Sequence, residues 1–303
     1  MRNRPRDLFS LTKPRITLMV LISAGAGFVL GSRGAVDGWA LLVASVGIGL
    51  VAGGTSALNQ VLERDVDALM QRTRGRVLPT GKVTPGIATL FSIGVSALGV
   101  VVLAVFVNAL TAVLAVIALL SYILAYTPLK KVSSLSTLVG AVPGALPILG
   151  GWTAATGSLD PGGWALFGIL FFWQLPHFLA LAWMYRDDYR RGGLKMLGVT
   201  DPDGRQTRHQ SVLYAVALLP TSLLPVLLGL TGGFYAFAAL LLTGAYVASA
   251  VRFAVRADSP TARGLFRVSL LYLPVLLLFL TLDGTGSRIV EPVSGPAVTI
   301  GSP

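Results

Sequence analysis

The fold is decided at residues 38–82, where an apolar run passes directly into a charged run. The apolar run GWALLVASVGIGLVAGGTSAL (38–58) is about as long as the roughly 20 residues that a helix needs to cross a bilayer. The charged run NQVLERDVDALMQRTRGRVLPTGK (59–82) holds three acidic and five basic residues, in a chain of which only 12% is charged. The junction therefore predicts a membrane-spanning helix that carries a polar site to one membrane surface.

Three oxygen-bearing residues of this run, Asn59, Glu63 and Asp67, are spaced i, i+4 and i+8. On a helix each step of four residues advances by only about 40°, so the three side chains share one face. Their oxygens suit Mg2+, which prefers to be completed by substrate phosphates. The cationic residues that follow suit phosphate oxygens: Arg72, Arg74, Arg76 and Lys82. The run is thus typical of a metal–diphosphate site; the alternative is a solvated loop that sets the orientation in the membrane.

The composition excludes a soluble domain, because 54% of the 303 residues are hydrophobic and the mean hydropathy is +0.75. The apolar residues lie in long runs, which predicts an all-α polytopic membrane protein embedded in a lipid bilayer. The chain has no cysteine, which excludes disulfides and thiolate ligands, and its two histidines do not suffice for a histidine metal cage. The net charge of +11 has its origin in membrane loops, so no nucleic-acid partner is predicted.

Nine apolar segments of about the length of a bilayer follow a basic N-terminal segment, residues 1–14. They lie at about 15–32, 38–58, 84–106, 109–126, 135–155, 163–184, 211–231, 233–254 and 265–283. We expect residues 15–283 to form one domain of nine transmembrane helices. The Gly-, Ser- and Pro-containing remainder, residues 284–303, predicts a disordered tail.

The distribution of basic residues predicts the orientation of the chain. With a cytoplasmic N-terminus, 22 of the 24 Lys and Arg residues fall in cytoplasmic segments and only Arg33 and Arg288 fall outside. This is a strong positive-inside pattern, and it places the C-terminus outside and the charged clusters at the cytoplasmic face. The short basic leader shows no cleavage site, which favours the plasma membrane of a prokaryote.

A second charged cluster ends the sixth segment, WQLPHFLALAWMYRDDYRRGGLKML (173–197). Asp187 and Asp188 lie between Tyr185 and Tyr189, and basic residues follow at Arg190, Arg191 and Lys195. Two acidic clusters on one membrane face predict a metal and a diphosphate held between them, and their spacing suggests two related halves. The alternative is an interfacial aromatic belt with arginines that extend toward water.

Two further features belong to this face or to the helices beneath it. His177 lies inside the sixth segment beside Pro176, where it is either a hydrogen-bonded structural residue or a functional one. The run YTPLKK (126–131) adds Lys130 and Lys131, which either assist the diphosphate or anchor the fourth helix. His209 lies in a loop and is expected to be solvated.

These residues resemble the intramembrane prenyltransferase superfamily. The pattern N-x-x-x-E-x-x-x-D followed by RTRGRVLPTGK is similar to its first aspartate-rich motif. The stretch from Pro176 to Leu197, together with YTPLKK and VGAVPGALPILGGW, resembles its haem-farnesylating branch, the protohaem IX farnesyltransferases. The resemblance runs from Leu11 to about Asp283. It implies a nine-helix bundle that transfers the farnesyl group of farnesyl diphosphate to a vinyl group of haem B with addition of water, giving haem O.

By position, the resemblance implies that Asn59, Glu63 and Asp67 form the first metal-ligating set and that Asp187 and Asp188 belong to the second. The cofactor implied is Mg2+, and haem A synthase is the implied downstream partner. The superfamily's second D-x-x-x-D pattern is not intact, because its outer positions correspond to Tyr185 and Tyr189, which puts the metal content of that motif in doubt.

The remaining site residues are hypotheses that follow from the implied reaction. Candidate diphosphate clamps are Arg72, Arg76, Lys82, Lys130, Lys131 and Arg186. Aromatic rings that could stabilise an allylic cation are Trp173, Tyr122 and Tyr126, and His177 is a candidate ligand of the haem iron. Two alternatives remain open: a prenyltransferase that acts on an aromatic quinone precursor, and a secondary transporter. Transporters usually place ionisable groups near the middle of the membrane, whereas these acids lie at helix ends.

Overall fold

The computed structural model describes residues 4–286, and in that range every regular element is helical. The α-helices are α1 (Pro5–Leu11), α2 (Pro14–Gly31), α3 (Gly38–Leu62), α4 (Arg64–Leu69), α5 (Pro85–Phe106), α6 (Ala109–Leu120), α7 (Thr127–Leu129), α8 (Ser136–Thr156), α9 (Pro161–Met184), α10 (Arg186–Arg191), α11 (Leu197–Thr200), α12 (Arg205–Leu227), α13 (Gly233–Arg256) and α14 (Ser259–Gly286). A π-helical turn, Ser121–Tyr126, joins α6 to α7. The all-α prediction is confirmed.

Nine helices or helix runs among the described residues are long and apolar enough to cross a membrane, as predicted. They are α2, α3, α5, the run from α6 to α7, α8, α9, α12, α13 and α14. Two of them begin six residues before the predicted apolar segments, at Arg205 and Ser259, because the helical backbone continues through polar residues that a hydropathy pattern excludes. The last helix extends to Gly286, and the rest of the predicted tail, 287–303, lies outside the described residues.

The centre of the bundle is formed by α8 and α9. In their most apolar stretches 61% and 56% of the residues are buried, compared with 22% in α5 and in the run from α6 to α7. Helix α8 packs against α2 and α9, and α9 also packs against α12 and α14. Large apolar side chains of the outer helices face outward, such as Leu90, which is 75% exposed, and Phe237, which is 68% exposed. This outer surface is suited to lipid.

Both charged clusters begin at the same kind of helix junction. Helix α3 ends at Leu62, one residue (Glu63, φ −98°, ψ 7°) leaves the helix, and the six-residue helix α4 follows. Helix α9 ends in the same way, with Tyr185 (φ −109°, ψ 22°) before the six-residue helix α10. Each cluster therefore includes the junction between a spanning helix and a six-residue helix.

Helices α2 and α8 approach each other through two glycines. A Cβ atom on Gly151 would lie 1.8 Å from the carbonyl oxygen of Ala24, and one on Gly27 would lie 2.1 Å from that of Ile148. Small residues allow membrane helices to pack backbone against backbone in this way. The approach fixes the position of α2, whose first turn carries the N-terminal segment toward the charged clusters.

We expect Gly151→Ala to lower the thermal unfolding midpoint of the detergent-solubilised protein, because the added methyl group must separate α2 from α8. Overpacking of this kind costs about 1–3 kcal/mol. Gly94→Ala in α5 is the matched control: no atom lies within 4 Å of its added Cβ, and alanine favours the helix by about 1 kcal/mol. Equal midpoints for the two variants would contradict the close approach.

Candidate active site

The site is built around the end of α3, where Asn59, Glu63 and Asp67 keep the predicted helical spacing across the junction between α3 and α4. The backbone N–H of Glu63 donates to the carbonyl of Asn59 at 3.0 Å, and the N–H of Asp67 donates to the carbonyl of Glu63 at 2.7 Å. Successive i to i+4 hydrogen bonds thus continue from α3 into α4. All three side chains are buried, with Asn59 and Asp67 only 1% exposed.

Each of the three residues contacts one cationic side chain. Lys13 Nζ donates to Asn59 Oδ1 at 3.1 Å, and Arg76 Nη1 contacts Asp67 Oδ2 at 2.6 Å. Lys130 Nζ forms an ion pair with Glu63 Oε1. Buried carboxylates need such partners, because an uncompensated charge in a low-dielectric interior is strongly unfavourable. The cations come from three separate parts of the chain, so the bundle assembles the site rather than the charged run alone.

One carboxylate of the site still offers an oxygen to a further ligand. Asp67 Oδ1 is buried and has no hydrogen-bond partner, whereas Glu63 Oε1 is engaged in its ion pair with Lys130. Within residues 4–286 no three Asp, Glu or His side chains converge as a metal cage. The chemistry of the donors, carboxylate oxygens of Glu63 and Asp67, fits Mg2+, which takes one or two carboxylates and is completed by substrate phosphates.

Lys13 is the residue of this site that sequence reasoning missed. It has a left-handed backbone conformation, φ 49° and ψ 64°, immediately before α2. Strained backbone of this kind is common at functional sites. Burial, then the neighbouring Arg76 and Lys130, lower the pKa of Lys13 to about 7, while Glu63 and Asp67 act in the opposite direction. The available signal was a lysine followed directly by proline at the start of a spanning segment.

The π-helical turn Ser121–Tyr126 and the residues after it form another side of the site. Asn59 Nδ2 donates to Thr127 Oγ1 at 3.2 Å, and Lys130 Nζ lies 4.5 Å from the centroid of the Tyr126 ring. The backbone N–H of Lys195 donates to the carbonyl of Lys130 at 2.7 Å, which ties this side to the second cluster. π-Helical turns are rare and occur often at functional sites. Here the turn directs Tyr126, Thr127 and Lys130 toward the end of α3.

The second cluster holds the loop that follows α4. Asp188 Oδ1 accepts from the backbone N–H of Gln71 at 2.9 Å and forms an ion pair with Arg191, and Asp188 Oδ2 accepts from the N–H of Arg72 at 3.1 Å. Burial raises the pKa of Asp188, but the hydrogen bonds from Arg191, Gln71 and Arg72 outweigh it and the pKa lies below its usual value. Both oxygens of Asp188 are thus engaged within the protein.

The two tyrosines that flank the acids also contact this loop. The Arg72 guanidinium lies 5.3 Å from the centroid of the Tyr185 ring, and Tyr189 packs against Val66 and Met70. Burial raises the pKa of Tyr189, and Arg72 and Lys130 partly offset that effect. The side chains at the outer positions of this motif therefore orient the first cluster.

An opening of about 510 Å³ lies where the clusters meet; it is lined by Gln71, Arg72, Met184, Tyr185, Asp187, Asp188 and Arg191. Asp187 is exposed there and pairs with Arg190 at 2.8 Å. The other predicted residues lie further from the three oxygen-bearing side chains or have no contact with them. Arg186 lies 4.4 Å above the Trp183 ring, Lys82 and Lys131 are exposed, and His177 faces α14.

We expect Asp188→Asn to release the loop, because an amide nitrogen would face a backbone N–H where a carboxylate oxygen now accepts. An unsatisfied buried donor costs about 1–3 kcal/mol, so the amides of Gln71 and Arg72 should exchange hydrogen about tenfold faster or more. The measurement is hydrogen–deuterium exchange of peptides covering residues 66–78. Asp187→Asn, at an exposed neighbouring position, should leave that exchange unchanged. Equal exchange rates in both variants would contradict the proposed role of Asp188 in holding the loop.

Comparison with known proteins identifies the family of this chain. Residues 20–278 match the UbiA prenyltransferase family. The chain is 45% identical over 290 residues to protoheme IX farnesyltransferase of Solibacter usitatus, covering 93% of this chain and 99% of the relative. It is 46% identical over 277 residues to the protein of the same name from Salinibacter ruber, covering 91% and 98%.

Solved structures share the fold at low sequence identity. A structure of digeranylgeranylglyceryl phosphate synthase superposes with a TM-score of 0.79 at 17% identity, covering 93% of this chain and 98% of that one. A UbiA homolog from Archaeoglobus fulgidus bound to DMAPP and Mg2+ superposes with a TM-score of 0.65 at 15% identity, covering 91% and 99%. The nine-helix fold, the family match and the full-length relatives agree, and the chain belongs to the UbiA prenyltransferase family.

Proposed function

We propose that this chain joins the farnesyl group of farnesyl diphosphate to a vinyl group of haem B, with addition of water, and releases haem O and diphosphate. The assignment of haem B as the acceptor rests on sequence similarity to protoheme IX farnesyltransferases. Almost half of the aligned residues are identical, over nearly the whole length of both chains. The prenyl diphosphate is supported by the site, which presents carboxylate, amide and cationic groups at one helix end.

The reaction breaks the bond between the allylic carbon of farnesyl diphosphate and its diphosphate oxygen. The vinyl electron pair forms the new carbon–carbon bond, and water adds its hydroxyl to the other vinyl carbon and releases a proton. Negative charge develops on the departing diphosphate, so preorganised positive charge at that place accelerates the step. The protein's main contribution is therefore to hold the diphosphate and to keep the allylic carbon beside the vinyl group.

The residues at the end of α3 are suited to hold the diphosphate. Asn59, Glu63 and Asp67 would hold Mg2+, which as a Lewis acid would offset the charge of the leaving group. The three cations that now contact these residues, Lys13, Lys130 and Arg76, can then turn to phosphate oxygens. Bidentate guanidinium and point-charge ammonium groups both bind phosphate well.

Asp187 and Asp188 have different places in this proposal. The oxygens of Asp188 accept hydrogen bonds from the backbone of Gln71 and Arg72. The main role of Asp188 in this proposal is therefore to position Arg72, and it does not hold the metal by itself. Asp187 lies at the opening, where its carboxylate can bind a second metal ion that accompanies the incoming diphosphate. Arg72 lines the same opening and is the candidate that first meets the substrate's charge.

Aromatic rings lie next to the proposed diphosphate position. Tyr122 and Tyr126 contact each other edge to face with centroids 4.9 Å apart, and Lys130 lies over Tyr126. When Lys130 turns to the diphosphate, the ring face of Tyr126 becomes available to the allylic carbon as it gains positive charge.

The spans and the family make this a multi-pass membrane protein. We place the site at the cytoplasmic face of a prokaryotic plasma membrane. The support is the charge pattern, since 22 of 24 basic residues lie in segments that share one side under this orientation. Haem O released there is available to a haem A synthase in the same membrane.

Cells or membranes that contain the wild-type protein should accumulate a haem with farnesyl plus water added, resolved by reversed-phase chromatography and mass. Asp67→Ala should reduce its formation by about a hundredfold or more, because it removes a buried ligand and leaves Arg76 unpaired. Asp65→Ala is the matched control: this acid is two residues away, 86% exposed and paired only with Arg64, and it should have little effect.

Two outcomes would count against the proposal. Haem B alone, with folded wild-type protein and farnesyl diphosphate present, would favour an aromatic quinone precursor as the acceptor. Equal haem O formation by Asp67→Ala and wild type would leave the reaction in place but contradict the assignment of the site.

The neighbouring lysines of the fourth spanning run provide a second test. Lys130 is 8% exposed and paired with Glu63, whereas Lys131 is exposed. We expect Lys130→Ala to lower kcat/KM for farnesyl diphosphate by about a hundredfold, and Lys131→Ala to lower it less than about threefold. The measurement is initial-rate kinetics with purified protein. Similar losses for both lysines would mean that charge at this surface matters and that the Glu63 contact does not.

A further inference from the structure

His177 is a polar residue in the membrane-spanning helix α9, and it has no contact with Asn59, Glu63 or Asp67, the residues proposed to hold the metal and diphosphate. Its Nδ1 lies 2.7 Å from Ser269 Oγ in α14. The imidazole stacks on Trp173, with centroids 5.4 Å apart, and on Phe266, with centroids 4.8 Å apart. Polar side chains inside a membrane are expensive and usually functional, so the arrangement of this ring is informative.

The hydrogen bonds of Ser269 decide which ring nitrogen carries the proton. Ser269 Oγ donates to the carbonyl of Phe266 at 2.6 Å. A hydroxyl has one proton to donate, so toward His177 the same oxygen acts as an acceptor. The neutral imidazole therefore has its proton on Nδ1, and the lone pair is on Nε2.

That lone pair has no hydrogen-bond donor in the protein. Trp173 and Phe266 stack on the ring, Ser269 takes its Nδ1 edge, and none of the hydrogen bonds found for the described residues reaches Nε2. A histidine that ligates a metal is usually held this way: the second nitrogen donates to a protein oxygen, which fixes both tautomer and ring orientation.

We propose that His177 Nε2 is an axial ligand of the iron of haem B, and that Ser269 is the positioning residue that presents it. This inference rests on the proposed function, since it takes haem as the acceptor. In this role the His177 ring, which packing and one hydrogen bond hold in place, would bind a metalloporphyrin in preference to a metal-free aromatic acceptor.

The position of His177 suits this role. It lies eight residues before Tyr185, the residue that follows the end of α9, which at 1.5 Å per residue is about 12 Å along the helix. The iron would therefore lie deeper in the bundle than the diphosphate cluster. The vinyl groups are at the edge of the macrocycle, so a haem held by its iron at this depth can extend that edge toward the allylic carbon.

The chain offers a matched pair for the test, because its two histidines are His177 and the exposed His209 in the first turns of α12. Haem B would be titrated into purified full-length protein in detergent, with ligation followed by absorption and magnetic circular dichroism. The wild type and His209→Ala should show the same imidazole-ligated spectrum. His177→Ala should lose it and bind haem at least about tenfold more weakly.

Two more variants separate ligation from packing. His177→Gly should recover the ligated spectrum when free imidazole is added at a concentration that leaves haem B unligated in protein-free detergent and leaves the spectrum of His209→Ala unchanged, which a merely structural role would not produce. Ser269→Ala should retain the ligated spectrum but weaken haem binding by about tenfold, as is typical when the partner of a metal-ligating histidine is removed.

The same preparations would be assayed for haem O, so that failure of the inference and failure of the proposed function can be told apart. Haem O formation together with identical haem spectra for wild type and His177→Ala would overturn the ligand and leave the function standing. Folded wild type that neither binds haem nor forms haem O would overturn the function, and with it the ligand.

Discussion

The structure depends on the pairing of buried charges at the end of α3. Glu63 and Asp67 are buried where solvation by water is largely lost, and each meets a cationic side chain, Lys130 and Arg76 respectively. The same cations are the groups that a diphosphate requires. We propose that a bundle that brings Lys13, Lys130 and Arg76 to these positions also provides the site for a doubly charged metal and its phosphate ligand.

The second cluster is connected to this arrangement by hydrogen bonds. Asp188 binds the backbone at Gln71 and Arg72, and the backbone of Lys195 binds that of Lys130, so both flanking walls of the first cluster are attached to the helix junction that follows α9. In this chain tyrosines occupy the outer positions of the second motif, and they pack on the first cluster. The asymmetry between the clusters is consistent with metal binding centred on one of them and positioning on the other.

Much of the fold could be predicted from sequence because it follows from bilayer thickness and residue periodicity. The nine spans required only apolar runs of about 20 residues, and the alignment of Asn59, Glu63 and Asp67 required only the helical repeat. Helix ends were less predictable, since α12 and α14 continue through polar residues. Contacts between distant parts of the chain could not be predicted: Lys13 is 46 residues from Asn59, and no local pattern indicates that they meet. A run of charges also does not show where each side chain points, which is why Arg186, stacked on Trp183, looked the same in sequence as Arg76.

The most direct test of the paired-charge site is the thermodynamic coupling between Mg2+ and farnesyl diphosphate. Calorimetric titration of the purified protein with farnesyl diphosphate, with and without Mg2+, measures that coupling independently of the acceptor. We predict that Mg2+ tightens binding by at least about tenfold, or about 1.4 kcal/mol, and that Asp67→Asn abolishes this gain while Asp65→Asn preserves it. The same Mg2+ gain in Asp67→Asn as in wild type would contradict the account.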